Sequence, residues 1–307
     1  MPYKSKAQAL AMAGQRADLA PHLAYPGINP ERSYQEYYSL YDRLWKAAVG
    51  CPIVESTIFA PPIRYFEDFL HAFEARDLAL ASESDPTGVF SEVADRGKYL
   101  ITLVGTQGEF TIGTPIDGAA NASAQGGWGT FITSDDSGND LICAQMNGES
   151  WKLATAKPLY FETRFAIKTI TESEVFIGLA DTGTDLYVDG VGVTNHVGFM
   201  LDNDGNLDFS IDEGATQHKV DTLVNFVDGS LATLETANVV HRCGFYWDGA
   251  GTIYVYVDGV LTNTIVDEGV AILVPDATCL SIGFQLENTT TTAETMWIDY
   301  IMCVQAR

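Results

Sequence analysis

From Lys98 to Gln305 the chain is a succession of short runs rich in β-branched and aromatic residues, each closed by Gly, Asp or Asn. Almost no helical period intervenes. About thirteen such runs can be read, among them KYLITLVG, WGTFITS, DLICAQM, PLYFETRFAIKT, EVFIGLAD, HVGFMLDN, NLDFSID, RCGFYWDG, TIYVYVDG, CLSIGFQLE and TMWIDYIMCVQ. Parallel pairing needs crossovers of a dozen or more residues, usually helical, and the sequence offers none, so the strands must pair antiparallel. Asp204-Gly205, Asp248-Gly249 and Asp258-Gly259 stand between runs, where tight hairpins need residues that tolerate positive φ. The pattern predicts an all-β chain folded as an antiparallel two-sheet sandwich of jelly-roll type.

One ribbon, GAGTIYVYVDGVLTNTI (Gly249 to Ile265), shows how such strands divide their residues. Successive side chains on a strand point to opposite faces. Ile253, Val255 and Val257 therefore share a face that belongs in the core. Tyr254 and Tyr256 share the other face and are candidates for stacking on a sugar. The loop DGAANASAQGGWG (Asp117 to Gly129) surrounds Trp128 with small residues and is a third candidate for a glycan contact.

Residues 1–62 differ from the rest and are read as an N-terminal arm on a sandwich domain of residues 63–307. Residues 4–17 are Ala-rich and helix-prone. Pro21, Pro26 and Pro30 then force an extended stretch. Ser33 and Glu36 form a capping box for a second helix, on which Tyr34, Tyr37, Tyr38, Tyr41 and Trp45 fall on one stripe. So short an arm cannot own a core. Its aromatic stripe must be buried, either on the protein's own body or, in the functional reading, on a partner or a neighbouring subunit. Residues 63–82 fit a helix or an opening strand equally well.

The formal net charge is −24. It argues against nucleic acid and anionic membrane as partners. The first 50 residues are slightly basic, so the acid is concentrated in the body. No apolar run is long enough to span a bilayer, and the N-terminus reads as no signal peptide, so synthesis in a cytoplasm is expected. The five cysteines are scattered without a C-x-x-C, which fits neither a disulfide framework nor a zinc site. Cys243, Cys279 and Cys303 are read as small buried hydrophobes.

Catalytic patterns are missing. The histidines show no metal-ligand spacing, and there is no G-x-S-x-G and no phosphate-binding glycine loop. Glu83 with Asp85 lies in a loop at Pro86, and Asp212 with Glu213 alternates across a strand. Neither supplies the two carboxylates about 5 Å apart that retaining glycoside hydrolysis requires. The stretch LDNDGNLDFSID offers Asp202, Asp204, Asn206 and Asp208 as a weak calcium candidate, although its glycine is misplaced for an EF-hand.

The ordered phrases PLYFETRFAIKT, EVFIGLAD, HVGFMLDNDGNLDFSID, GFYWDGAGTIYVYVDGVL and TMWIDYIMCVQ resemble the concanavalin A-like lectin/glucanase superfamily over roughly residues 85–307. KPLYFETRFAI and VFIGLAD, in that order and spacing, are similar to jelly-roll proteins encoded among the virion structural genes of tailed bacteriophages. The superfamily's glucanases carry a Glu-x-Asp-x-x-Glu strand that this sequence lacks. The resemblance implies a non-enzymatic virion structural protein, a capsid decoration or cement protein on the head surface, made in the host cytoplasm. The implied partner is the major capsid protein or another virion subunit, with self-association as a dimer or trimer and no cofactor. The alternatives are a lectin-like head-fibre or receptor-facing protein that holds a host surface glycan, and a divergent glycoside hydrolase.

Overall fold

The computed structural model describes residues 128–306 apart from 136–137, 184, 189–190, 215–216, 231–232, 235–237 and 268–273, together with strands at 63–67, 88–90, 99–103 and 109–112. The arm, with its aromatic stripe, lies outside the described residues, as do most of the loop before Trp128 and the pair Glu83 and Asp85.

The early strands are β1 (Ile63–Glu67), β2 (Gly88–Phe90), β3 (Tyr99–Leu103), β4 (Glu109–Ile112), β5 (Gly129–Ile132) and β6 (Leu141–Met146). β7 (Leu159–Ile167), β8 (Ser173–Ala180), β9 (Tyr187–Val188), β10 (Val191–Gly192), β11 (His196–Leu201) and β12 (Asn206–Asp212) follow. The last are β13 (Gln217–Asn225), β14 (His241–Trp247), β15 (Thr252–Val257), β16 (Val260–Val266), β17 (Ser281–Asn288) and β18 (Thr295–Gln305). Among the described residues the helical element is a single 3₁₀ turn, Ile170–Glu172.

The strands form two eight-stranded antiparallel sheets and one small hairpin, β9–β10. The first sheet runs β16-β15-β14-β7-β18-β5-β4, with β1 also on β18; the second runs β13-β12-β11-β8-β17-β6-β3-β2. The chain changes sheets at β1/β2, β3/β4, β5/β6, β6/β7, β7/β8, β13/β14, β16/β17 and β17/β18, while β11-β12-β13 and β14-β15-β16 meander within one. That alternation is the jelly-roll wrap. β18 divides its far edge, meeting β5 through Thr295–Ile298 and β1 through Ile301–Gln305. β1 settles the helix-or-strand ambiguity for Ile63–Glu67 as strand.

The core forms where the inward residues of both sheets meet. Ile253, Val255 and Val257 are buried, and Thr252, Tyr254 and Tyr256 between them are half-buried on the other face. Phe161 stacks on Phe245 within the first sheet at 5.3 Å. Phe245 meets Phe209 of the second sheet edge-on at 5.4 Å, and Phe209 meets Phe199 at 5.2 Å. Edge-on and offset rings suit the aromatic quadrupole and fill the space between sheets. The β15–β16 hairpin turns through Asp258 (φ 52°) and Gly259 (φ 79°), the pair of left-handed residues that a two-residue loop demands. Cys143, Cys243 and Cys303 are buried free thiols, whereas Cys279 is exposed, because it stands in the turn ahead of β17 rather than in a strand.

Candidate functional site

The outer face of the first sheet carries its chemistry in two registered rows. Tyr254 pairs with Tyr246, which pairs with Tyr160, which pairs with Val304. In the next row Tyr256 pairs with Gly244, then Glu162, then Met302. Tyr246 and Tyr254 stack with centroids 6.1 Å apart and planes 22° from parallel. Both tyrosines and Tyr256 are half-exposed. Gly244 keeps the row open beside the carboxylate: a Cβ there would lie 2.9 Å from Phe161 O and 3.4 Å from the Glu162 side chain.

Glu162 is buried at the centre of this face. The Tyr160 hydroxyl donates to one of its oxygens, and the Tyr300 hydroxyl donates to the other at 2.6 Å. Arg242 Nε lies 4.0 Å away. Burial pushes the Glu162 carboxyl above the usual carboxylate range, against the opposing pull of the two hydroxyls and Arg242. Burial and the neighbouring Glu162 raise the Tyr300 phenol. Beside them Arg164 pairs with Asp299 at 2.5 Å and lies over the Trp128 ring at 5.6 Å. Trp128 itself is buried with Ala166, Leu234, Val239, Val240 and Trp297, so it offers no free ring face for a sugar. The structure has Tyr254 and Tyr256 on one face, separates Trp128 from them, and brings in Tyr246, Glu162 and Arg242, which the sequence reading missed. Their period-two alternation was visible, but only the register of β7, β14 and β15 shows that they meet.

The middle of the outer face of the second sheet is covered by the chain itself. Gly178 pairs with both Gly198 and Gly283, so three adjacent strands present a row without side chains. The 181–195 segment, which contains β9 and β10, lies over it. Leu186, Tyr187 and Val193 pack on Leu141, Cys143, Phe176, Ala180 and Met200. A Cβ on Gly283 would come within 2.7 Å of Leu186 Cδ1. Gln285 clamps the segment: its Oε1 accepts from Leu186 N at 2.5 Å, and its Nε2 donates to Asp185 Oδ1 at 2.8 Å and Tyr187 O at 2.7 Å. Gln145 does the same nearby, accepting from Gly183 N at 2.7 Å and donating to Asp181 O at 2.8 Å. His196 Nδ1 lies 2.6 Å from Val193 O, and its Nε2 2.8 Å from Ser210 Oγ. Gln145, Gln285 and His196 thus find their hydrogen-bond partners in the segment and in Ser210, as buried polar groups must.

The calcium candidate is filled by a lysine. Lys219 Nζ sits 2.7 Å from Asp202 and 3.3 Å from Asp208. Asp204 turns to Asn206 instead, accepting from its backbone N at 2.8 Å and its Nδ2 at 2.7 Å. The ammonium supplies the positive charge that a cation would, because β13 places Lys219 beside Ser210 of β12, on the face that also presents Asp208. Among the described residues no group of three or more His, Cys, Asp or Glu is placed to hold a metal.

No protein-family model matches the sequence, and no curated protein does. Solved structures resemble it in shape. A laminarinase from Rhodothermus marinus is similar with a TM-score of 0.49 at 11% identity, over 80% of this chain and 99% of the other. A protein of unknown function from Shewanella oneidensis MR-1 gives 0.46 at 14%, over 86% and 93%. The metal-free carbohydrate recognition domain of Emp46p gives 0.43 at 10%, over 69% and 92%. The fold assignment itself rests on the strand order and register described above.

Proposed function

We propose that the chain is a non-enzymatic structural protein of a tailed-phage virion, a decoration or cement protein on the head surface held through residues 1–62. The observation that carries the non-enzymatic part is the fate of the two outer sheet faces. One is sealed by the 181–195 segment through Gln145, Gln285 and His196. On the other, the central carboxylate is occupied by two tyrosine hydroxyls. The virion part is supported by the sequence resemblance, by the aromatic stripe of the arm, and by a strongly acidic body that favours solubility and discourages unwanted association. The contact partner in this reading is the major capsid protein. The full chain should co-sediment with capsid shells lacking decoration, and a Tyr37→Ala, Tyr41→Ala, Trp45→Ala variant should stay in the supernatant. Equal pelleting of both proteins removes the arm from the account, and pelleting of neither removes the shell.

A second reading, binding of a host surface glycan, is favoured by the half-exposed pair Tyr246 and Tyr254 with Tyr256 beside it. Flat aromatic faces backed by a rigid sheet are suited to stacking on sugar rings. Glycan-array binding that is lost in Tyr254→Ala would support it, and an array without signal would dismiss it.

A further inference from the structure

We propose that Glu294 is a neutral carboxylic acid in the folded chain, and that its O–H donates to the Glu172 carboxylate. This contact latches the β7–β8 turn to the β17–β18 connection until rising pH removes the proton. Glu294 stands immediately before β18 and is 0% exposed. Its backbone is fixed: its N–H donates to Thr133 Oγ1 at 2.9 Å, and its carbonyl accepts from Thr133 N at 3.0 Å. Its side chain is not. Among the described residues no hydrogen bond reaches either carboxyl oxygen. Lys168 holds its Nζ 3.7 Å from Oε1 and donates to Ala293 O instead. A buried carboxylate without a donor is costly to a fold, whereas a carboxylic acid brings its own donor.

The acceptor is at hand. Glu172 ends the 3₁₀ turn, is half-buried, and lies within hydrogen-bond reach of Glu294. It already leans on the β17–β18 connection: Thr290 Oγ1 donates to Glu172 Oε2 at 3.4 Å, and Thr289 N donates to Glu172 O at 2.9 Å. A proton on Glu294 would add the bond that joins the two connections through their side chains.

The surrounding charges leave room for that proton. From the β7–β8 turn, Lys168, Glu172 and the Thr169 hydroxyl face Glu294. The β17–β18 connection supplies the uncharged run Thr289–Ala293. After β5, Thr133 is spent on the Glu294 backbone and Asp135 is exposed. Asp228, from the connection after β13, accepts from Ile170 N at 3.0 Å. Two carboxyls therefore face one ammonium, which is itself 41% exposed. Burial pushes the Glu294 carboxyl above the usual carboxylate range, against the pull of Lys168 and Thr169, and the Glu172 charge adds to the rise. The latch is thus complete at acid pH and is lost as pH climbs through the folded value. It is independent of the virion and glycan readings.

Infrared titration and amide exchange of the full chain test the proposal. At roughly pH 5.5, a unit above the ordinary glutamate value, wild type should show a protonated-carboxyl band that is missing in Glu294→Gln. Glu172→Gln, which removes the neighbouring charge, should move the titration of that band to lower pH. The opening constant at the Thr289 amide, corrected for base catalysis of exchange, should rise about tenfold per pH unit between the ordinary and folded values and then level off. Glu294→Gln, whose amide donates at every pH, should show no such rise. Should that variant not fold, the wild-type band and its shift in Glu172→Gln decide. A band that titrates at the ordinary value overturns the proposal. So does a band that Glu172→Gln leaves in place, or a Thr289 profile that is the same in wild type and Glu294→Gln.

Discussion

Acidification should destabilise this fold through His196. It is fully buried, packed edge-on against Phe176 at 5.9 Å. Its Nδ1 faces the Val193 carbonyl at 2.6 Å and therefore carries the proton; its Nε2 accepts from the Ser210 hydroxyl at 2.8 Å. Ser210 Oγ in turn accepts from Gln217 Nε2 at 3.0 Å. A proton on Nε2 would turn the serine hydroxyl hydrogen away from the ring and end that hydrogen bond. Burial accordingly holds the imidazole down at about 4, against an ordinary value of 6.5. Between those values the unfolded chain binds more protons than the folded one. The contribution of His196 is thus fully present above the ordinary value and is lost as pH falls towards the folded one. The loss is about 2 kcal/mol on going from roughly pH 8 to pH 5, and about 3 kcal/mol once both states are protonated. Urea unfolding across that range, on wild type and His196→Gln, isolates the term. The difference in unfolding free energy between the two proteins should shrink as pH falls. Parallel pH profiles would refute the reasoning, since they would mean that the buried ring takes up its proton as readily as a free one.

Other consequences are as specific. Gln285→Ala removes three hydrogen bonds to the 181–195 segment, leaving the Leu186 N–H buried and unpaired. We expect a loss of about 3 kcal/mol and new protease cleavage within 181–195, both read from urea melts and limited proteolysis. Glu162→Gln should become more stable relative to wild type as pH rises above about 4.5. The folded carboxyl titrates above its ordinary value, so wild-type stability falls as pH climbs through that window. A trend of the opposite sign would mean that Arg242 and the tyrosines hold the carboxylate charged. Calcium should not change the melting temperature of the wild type. Lys219→Met, which unpairs the half-buried Asp202 and Asp208, should cost about 1 kcal/mol and create a calcium-dependent rise in the melt.

Much of the sandwich was legible because strands announce themselves locally. The alternation in TIYVYV separated core from surface correctly, and Asp258-Gly259 marked its hairpin by backbone chemistry alone. What escaped was set by residues far apart in sequence. β13, QHKVDTLVN, is mostly polar, and as an edge strand it buries little, so no hydrophobic signal marked it. The 181–195 segment reads as an ordinary loop. Its clamp is made by Gln145 and by Gln285, which lies 99 residues from its partner Leu186. Lys219 defeats the calcium candidate from the next strand, and only the β12–β13 register brings it there. Trp128 looked accessible among small neighbours, yet Leu234, Val239 and Val240 of a distant connection bury it. Glycines 178, 198 and 283 gain meaning only as a row across three strands.

We propose attachment to a capsid through residues 1–62, with the sandwich faces serving the chain's own structure. Electron cryomicroscopy of undecorated shells incubated with the full chain tests it most directly. We expect added density on the outer surface, shaped as a two-sheet sandwich and joined to the shell by the Tyr34–Trp45 stripe. Shells without added density, or a sandwich seated on the shell by the Tyr246–Tyr254 face, would contradict it.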